Sequence, residues 1–218
     1  MSELRWLEVL EQLYPDAACE LNHQSPFELL ISVILSAQTT DKAVNLVTPQ
    51  LFSKFPSPVE MAAASIDELE EVLKQIGLFR SKAKHIKATA QMLLEEFGGD
   101  VPQSRTKLMK LPGVGRKTAN VVLSVAFDIP AVPVDTHVER IAKRLGLAKN
   151  GDDVLAVEKK LQRKIPRDLW NVSHHQMIHF GRYFCTAQNP HCDACLLTNQ
   201  CKYFRKLSKS TRKNSSKI

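Results

Sequence analysis

Between residues 104 and 127 two helical patterns are separated by Leu111-Pro112-Gly113-Val114-Gly115, five residues that cannot simply continue a helix. Pro112 disfavours helix at the residue before it. Gly113 and Gly115 admit backbone conformations and close approaches that a side chain would block. The chain then passes at once into Arg116-Lys117-Thr118 and the apolar run ANVVLSVAF, so a new helix must start inside a tight hairpin with its first N–H groups uncovered. Such a start is an anion site suited to a phosphate. A Gly-containing turn between helices is by itself only a connector. The basic pair set directly on the helix start is what points to a phosphate ligand.

The helical period runs through the rest of the chain, and no stretch alternates as a strand does. Ser25-Pro26-Phe27-Glu28 opens a helix: Ser25 can cap, Pro26 is tolerated at the first position, and Glu28 can close a capping box. The following LLISVILSA is apolar all round, which places that helix at the centre of a core. Ser65 with Glu68 gives a second box, and Gly77 a stop for that helix. A helix from Ser81 to Phe97 is ended by Gly98-Gly99, and Pro49, inside a pattern running from Asp41 to Phe55, predicts a kink or break. Further helices fall near 136–145, 153–164 and 172–184. The fold class is all-α, with about ten helices.

The net charge of +7 is unevenly spread. Residues 1–73 carry three basic and twelve acidic groups, residues 74–201 twenty basic and eleven acidic, and residues 202–218 seven basic and none acidic. A −9 to +9 asymmetry suits a bipolar surface with one face able to hold a polyanion, although charges that merely solvate helix faces give the same count. No apolar run reaches the roughly 20 residues needed to cross a bilayer. The start MSELRWLEVLEQLY has no signal-peptide zones, so a soluble intracellular protein is expected. The Lys- and Ser-rich end reads as a mobile tail.

Cys185, Cys192, Cys195 and Cys201 are spaced C-x6-C-x2-C-x5-C, while Cys19 is remote and expected to be buried as a small apolar residue. An intracellular chain does not normally spend such a cluster on disulfides. Four thiolates at this spacing suit tetrahedral zinc or a 4Fe-4S cluster, and spacing alone leaves both open. His175 and His179, four residues apart, read as solvated or packed histidines because no carboxylate accompanies them.

The hairpin and the cysteines, in this order and at this distance, resemble the endonuclease III family of helix-hairpin-helix DNA glycosylases. The resemblance covers roughly Leu4 to Tyr203, through SAQTTD at 36–41, IGLFRSKA at 76–83, LPGVGRKTANVV at 111–122, VDTHVERIAKR at 134–144 and the cysteine cluster. It implies a two-domain all-α fold with a DNA cleft between a six-helix domain (19–129) and an iron–sulfur domain (1–18 plus 130–203), followed by a basic mobile tail (204–218). It also selects a 4Fe-4S cluster over zinc. The activity implied is that of a bifunctional DNA N-glycosylase and abasic-site lyase of base excision repair. The substrate would be double-stranded DNA with an oxidised pyrimidine or an abasic site, and the protein a monomer of the bacterial cytoplasm associated with the nucleoid.

That chemistry requires an amine to attack the sugar carbon carrying the base, form a Schiff base and drive elimination of the 3′ phosphate. Lys117 matches the family's catalytic lysine. A free lysine, with a pKa of about 10.4, is mostly protonated; burial, the positive helix end and Arg116 are the means of favouring its neutral form. Asp135 matches the second catalytic residue and would also cap the helix after it. By the same resemblance Gly113, Gly115, Arg116 and Thr118 contact DNA in the hairpin. Gln38 and Leu78 fill the gap left by a flipped base, and His137 touches DNA. The monofunctional adenine-specific relatives carry a glutamate where this chain has Val33 and lack the lysine. A non-catalytic DNA-binding protein with a structural metal would need neither Lys117 nor Asp135.

Overall fold

The computed structural model describes residues 4–215, with side chains up to 208, and no strand occurs among the described residues. The chain divides into two compact units: Cys19–Ala131, and the residues up to Ala18 joined with those from Val132 onward. No helix among the described residues is long and apolar enough to cross a membrane.

Within Cys19–Ala131, α2 (Pro26–Leu35) is the central element, buried at Phe27 and from Leu29 to Leu35. Ser25 caps it by accepting from Glu28 N, and Glu28 reaches back to Gln24 N (2.7 Å) instead of the Ser25 N–H that a strict capping box would use. Helix α3 (Asp41–Lys54) continues through Pro49, so of the expected kink or break the break does not occur. Its buried Val44, Val47, Thr48 and Leu51 pack it beside α2 and α5 (Ile66–Leu73). Asn45 also ties it to the preceding loop, donating to Glu20 O (2.8 Å) and accepting from Asn22 N (2.9 Å). Packing carries the helix across the missing hydrogen bond. The short α4 (Pro58–Ala63) and α5 lie against the long α6 (Phe79–Phe97).

The Ser65–Glu68 box on α5 forms in full. Gly77, however, is not its stop. The helix ends at Leu73, and the left-handed residue of the turn is Leu78, with φ 60°. Gly98, left-handed, ends α6. The hairpin joins α7 (Arg105–Leu108) to α8 (Arg116–Ala126), which packs on α2. Cys19 is half-buried against this core, not buried within it.

In the other unit, α1 (Arg5–Leu13) buries Trp6, Leu7, Val9 and Leu10 and packs on α11 (Trp170–His179). Helix α9 (Thr136–Leu145) sits between α10 (Val154–Lys164), α11 and α12 (Lys202–Ser215). The helix expected over 172–184 changes pitch at Phe180, where a wider π-type turn, Phe180–Phe184, leads to the cysteines. The segment expected as a mobile tail is helical over Lys202–Ser215, while residues 216–218 lie outside the described residues. Composition alone missed Tyr203, Phe204 and Leu207, apolar residues at helical spacing. The first two line the cavity shared by the cysteines, and Arg144 lies over the Tyr203 ring at 4.3 Å.

Candidate functional site

The hairpin is fixed from its backbone outward. Leu111 and Val114 plug into the core, and Val114 N donates to Leu111 O (3.1 Å) to close the turn. Thr89 of α6 donates its hydroxyl to Pro112 O (2.8 Å). Gly113 has φ +78°, and a Cβ there would lie 3.2 Å from His85 and Ile34, so both conformation and space call for glycine. Gly115 is different: its backbone is extended, and a Cβ would meet nothing within 4 Å. Nothing inside the protein requires a glycine there, which leaves room for a group approaching from outside. Gly115 is the N-cap of α8 and supplies no side-chain cap, so the first turn keeps N–H groups for an anion. Lys117 is exposed on this turn, and Arg116 and Thr118 are half-buried beside it. The burial expected of Lys117 is therefore not supplied by the protein itself.

Gln38 and Leu78 are both exposed at turn tips with left-handed backbones, φ 53° and 60°. With 57% of its surface open, Leu78 is not a core leucine. Val33 is buried in α2.

Asp135, half-buried, caps α9: its Oδ1 accepts from Val138 N at 2.8 Å. Two residues on, His137 Nδ1 lies 3.2 Å from Arg140 Nη2. A guanidinium only donates, so Nδ1 accepts and the ring proton sits on Nε2. The His137 pKa is lowered chiefly by burial. Asp135 opposes the shift, Arg140 and Arg182 reinforce it, and a hydrogen bond to the Gly181 backbone opposes it. Lys117 belongs to the unit Cys19–Ala131, and Asp135 and His137 to the other.

The four thiols of Cys185, Cys192, Cys195 and Cys201 are free of disulfides and line one cavity, walled by Ile141, Leu145 and Phe180. Among the described residues no three His, Cys, Asp or Glu side chains converge as ligands of a single metal ion. As donors the four soft sulfurs fit an iron–sulfur cluster, and their surroundings fit it too. Leu197 N donates to Cys195 Sγ (3.4 Å), Phe204 N to Cys201 Sγ (3.5 Å) and Arg144 Nη1 to Cys185 Sγ (3.2 Å). Hydrogen bonds of this kind temper the charge of cluster thiolates. Burial pushes the Cys192 and Cys195 thiols up, and the neighbouring thiols add to the shift, which a bound cationic centre reverses.

Sequence reasoning missed the residues that hold this segment. Arg144 donates to Cys185 O (3.2 Å), Thr186 O (2.6 Å) and Ala187 O (2.9 Å), and Arg140 donates to Gly181 O (2.7 Å). The available signal was two arginines four residues apart on α9, within VDTHVERIAKR. His175 and His179 are packed histidines: His179 lies 3.3 Å from Ala18 O between the rings of Tyr14 and Tyr183, and His175 lies against His174.

A helix start without a side-chain cap, with an exposed lysine on it, is suited to an anion such as a phosphate. The family described as HhH-GPD superfamily base excision DNA repair protein matches residues 31–167, and the chain belongs to it. More particularly, it is 52% identical over 203 residues to Endonuclease III of Bacillus subtilis (strain 168), covering 93% of each chain. It is 43% identical over 210 residues to Endonuclease III of Escherichia coli (strain K12), covering 95% of this chain and 99% of that one. Among solved structures it is similar to a trapped covalent intermediate of Endonuclease III with DNA, an estranged-adenine complex, with a TM-score of 0.91 and 50% identity over 95% of this chain and 99% of that one. A non-covalent Endonuclease III–DNA complex fits equally well, with a TM-score of 0.91. The function that follows is that of a DNA glycosylase and abasic-site lyase in base excision repair, with DNA as partner.

Proposed function

We propose that Lys117 is the nucleophile of this reaction and that the damaged bases removed are oxidised pyrimidines. The observation that carries the reading is the position of Lys117, an exposed amine on the first turn of a helix whose start lacks a side-chain cap. A DNA phosphate seated on the N–H groups of that turn brings a sugar to the amine, and the DNA itself supplies the burial that the protein does not. The neutral amine attacks the sugar carbon bearing the base, and the base departs with the electrons of the broken bond and a proton. The sugar C1′–O4′ bond then opens, its oxygen taking up a proton, and leaves a protonated Schiff base. This acidifies the neighbouring carbon, and loss of a proton from that carbon expels the 3′ phosphate.

Asp135 keeps one oxygen on the helix cap, and its carboxylate stabilises positive charge developing on the sugar and relays protons. Gly113, Gly115, Arg116 and Thr118 hold the phosphate. Gln38 and Leu78 fill the gap in the stack, and His137 contacts the DNA. Cys185, Cys192, Cys195 and Cys201 would hold a 4Fe-4S cluster, which when bound would tie the segment around it to one rigid centre. The unit Cys19–Ala131 is read as the hairpin domain, the other as the cluster domain, and the protein as a monomer working on the bacterial nucleoid.

Borohydride trapping on duplex DNA containing one thymine glycol tests the assignment. Wild-type protein becomes covalently attached. Lys117→Ala loses both attachment and strand cutting while still binding the damaged duplex. A Lys117→Ala protein that traps at the wild-type rate places the nucleophile on another amine. Iron analysis of the same preparation finds about four atoms per chain; one zinc instead overturns the cluster alone.

A further inference from the structure

The least expected buried residue of the unit Cys19–Ala131 is a lysine. Ammonium groups are almost never fully buried unless paired, yet Lys82 is only 3% exposed. Burial holds its pKa below the ordinary lysine range. Among the described residues its amine has one hydrogen-bond partner, Thr39 Oγ1. That hydroxyl is itself directed at Ala37 O (3.5 Å), so the chain of contacts brackets Gln38 from both sides. In the other direction Lys82 sits in the first turn of α6, where its backbone N–H donates to Leu78 O at 3.0 Å. One residue thus reaches two separate turns, and each turn carries a left-handed non-glycine residue at its exposed tip.

Such backbones are costly and persist only where their surroundings over-determine them. A methionine of similar length would fill the space without the desolvation of an amine, so the amine is present for what it bonds.

We propose that Lys82 is a positioning residue that locks the Gln38 and Leu78 turns into one preformed wedge, ready to occupy the gap left by a flipped base. This rests on the reading of Gln38 and Leu78 as gap-fillers. Two turns that had to be ordered separately would each lose conformational freedom on entering the duplex, whereas a linked pair has lost it beforehand. The amine takes no part in bond-making. Its effect is confined to substrates whose base pair must be broken.

The test uses Lys82→Met, Thr39→Val and the double variant in the full, cluster-loaded protein. Three quantities are measured: single-turnover excision of thymine glycol, fluorescence of 2-aminopurine placed opposite the lesion, and cutting at a preformed abasic site. Each single variant slows excision about tenfold and weakens the fluorescence change, and the double variant is no worse than either single one because both remove the same link. Cutting at the abasic site, where no pair has to be opened, stays within about twofold. Equal losses on both substrates, additive losses, or no loss in excision each overturn the lock. Should Lys82→Met fail to fold, Thr39→Val approaches the same bond from a half-buried turn and decides alone. Leu78→Ala separates the two levels of the argument. If it leaves excision unchanged, the gap-filling assignment falls and the lock with it. If it slows excision while Lys82→Met does not, only the lock falls.

Discussion

The hairpin at 111–115 and the cysteine segment at 185–201 are both short and nearly free of regular structure, yet they are held in opposite ways. The hairpin satisfies its backbone through the Leu111–Val114 turn bond and, from α6 some twenty residues upstream, the Thr89 hydroxyl on Pro112 O, while Leu111 and Val114 anchor it in the core. The cysteine segment presents carbonyls that its own sequence does not satisfy. Two guanidiniums some forty residues upstream do so, Arg140 on Gly181 O and Arg144 on Cys185, Thr186 and Ala187 O. Buried backbone polar groups must find partners somewhere. The first region finds them in its own turn and on α6, and the second in short local turns over 192–201 and, for Cys185, Thr186 and Ala187, on α9. The hairpin therefore leans mainly on its own turn and core anchors, and the cysteine segment, beyond its local turns, on a helix distant in sequence.

The largest effect should come from removing that long-range support. Arg144→Ala leaves Thr186 O and Ala187 O without this donor and Cys185 O with only the longer bonds from Arg140 (3.4 Å), takes a donor from Cys185 Sγ and uncovers the Tyr203 ring. Each lost partner of a buried polar group costs about 1–3 kcal/mol, and with solvent repairing part of the loss the expected destabilisation is about 3 kcal/mol. Denaturant unfolding measures it, with iron content falling in parallel. Amide exchange in α8 and the hairpin should be unchanged below global unfolding. If Arg144→Ala unfolds at the wild-type midpoint, the segment supports itself and the contrast between the two regions is lost.

A smaller effect separates two glycines within the hairpin. Gly113→Ala places a side chain at φ +78° and 3.2 Å from His85 and Ile34, with an expected cost of about 1–3 kcal/mol. Gly115→Ala meets nothing within 4 Å at φ −88°, so stability should change by less than about 0.5 kcal/mol. On the proposed reading its methyl group would stand where a phosphate approaches the helix start. Affinity for a duplex with an abasic site should fall even though the thermal midpoint does not. A Gly115→Ala protein that binds DNA normally would reduce the hairpin to a connector between two helices.

How much could be read beforehand follows the same division. The caps at Ser25, Ser65 and Asp135, the all-apolar α2 and the glycine hairpin were legible because each rests on neighbours in sequence. The unbroken course of α3 through Pro49 was not, because it depends on packing beside α2 and α5. Nor was the end of α5 at Leu73: a left-handed leucine defies local preference, and the turn is held by the buried Ile76, whose N–H donates to Leu73 O at 3.0 Å. The candidate residues themselves were named from their motifs. Arg140, Arg144 and Lys82 were missed because a charged side chain on an amphipathic helix looks the same in sequence whether it faces water or a loop distant along the chain. Helix α12 was missed for the opposite reason, since a few apolar residues at helical spacing outweigh a composition that reads as a tail.

The smallest expected effect concerns pH, and it should appear on the cysteine side only. His137 has a lowered pKa in the folded protein, chiefly from burial and then from the charges of Arg140 and Arg182, against the opposing pull of Asp135. In the unfolded chain it titrates near the ordinary value of about 6.5. Between the folded value and about 6.5 the unfolded chain therefore binds more protons, so stability rises with pH across that window. The contribution is fully present above about 6.5 and is lost as pH falls through the folded value. Because the ring is half-buried and solvent screens it, the amount should stay below about 1 kcal/mol. The structural consequence is specific: protonated Nδ1 cannot accept from Arg140, and two cations then face each other across 3.2 Å, which weakens the hold of Arg140 on Gly181 O and Cys185 O. Stability measured against pH should therefore fall less steeply in His137→Gln than in wild-type protein on the acid side. Amide exchange should quicken in residues 181–187 of the wild type while the hairpin amides stay constant. Equal slopes in the two proteins would show that the imidazole does not report on this segment. Equal quickening of the hairpin would show that the two regions share one opening, so that the difference in how they are held does not make them independent.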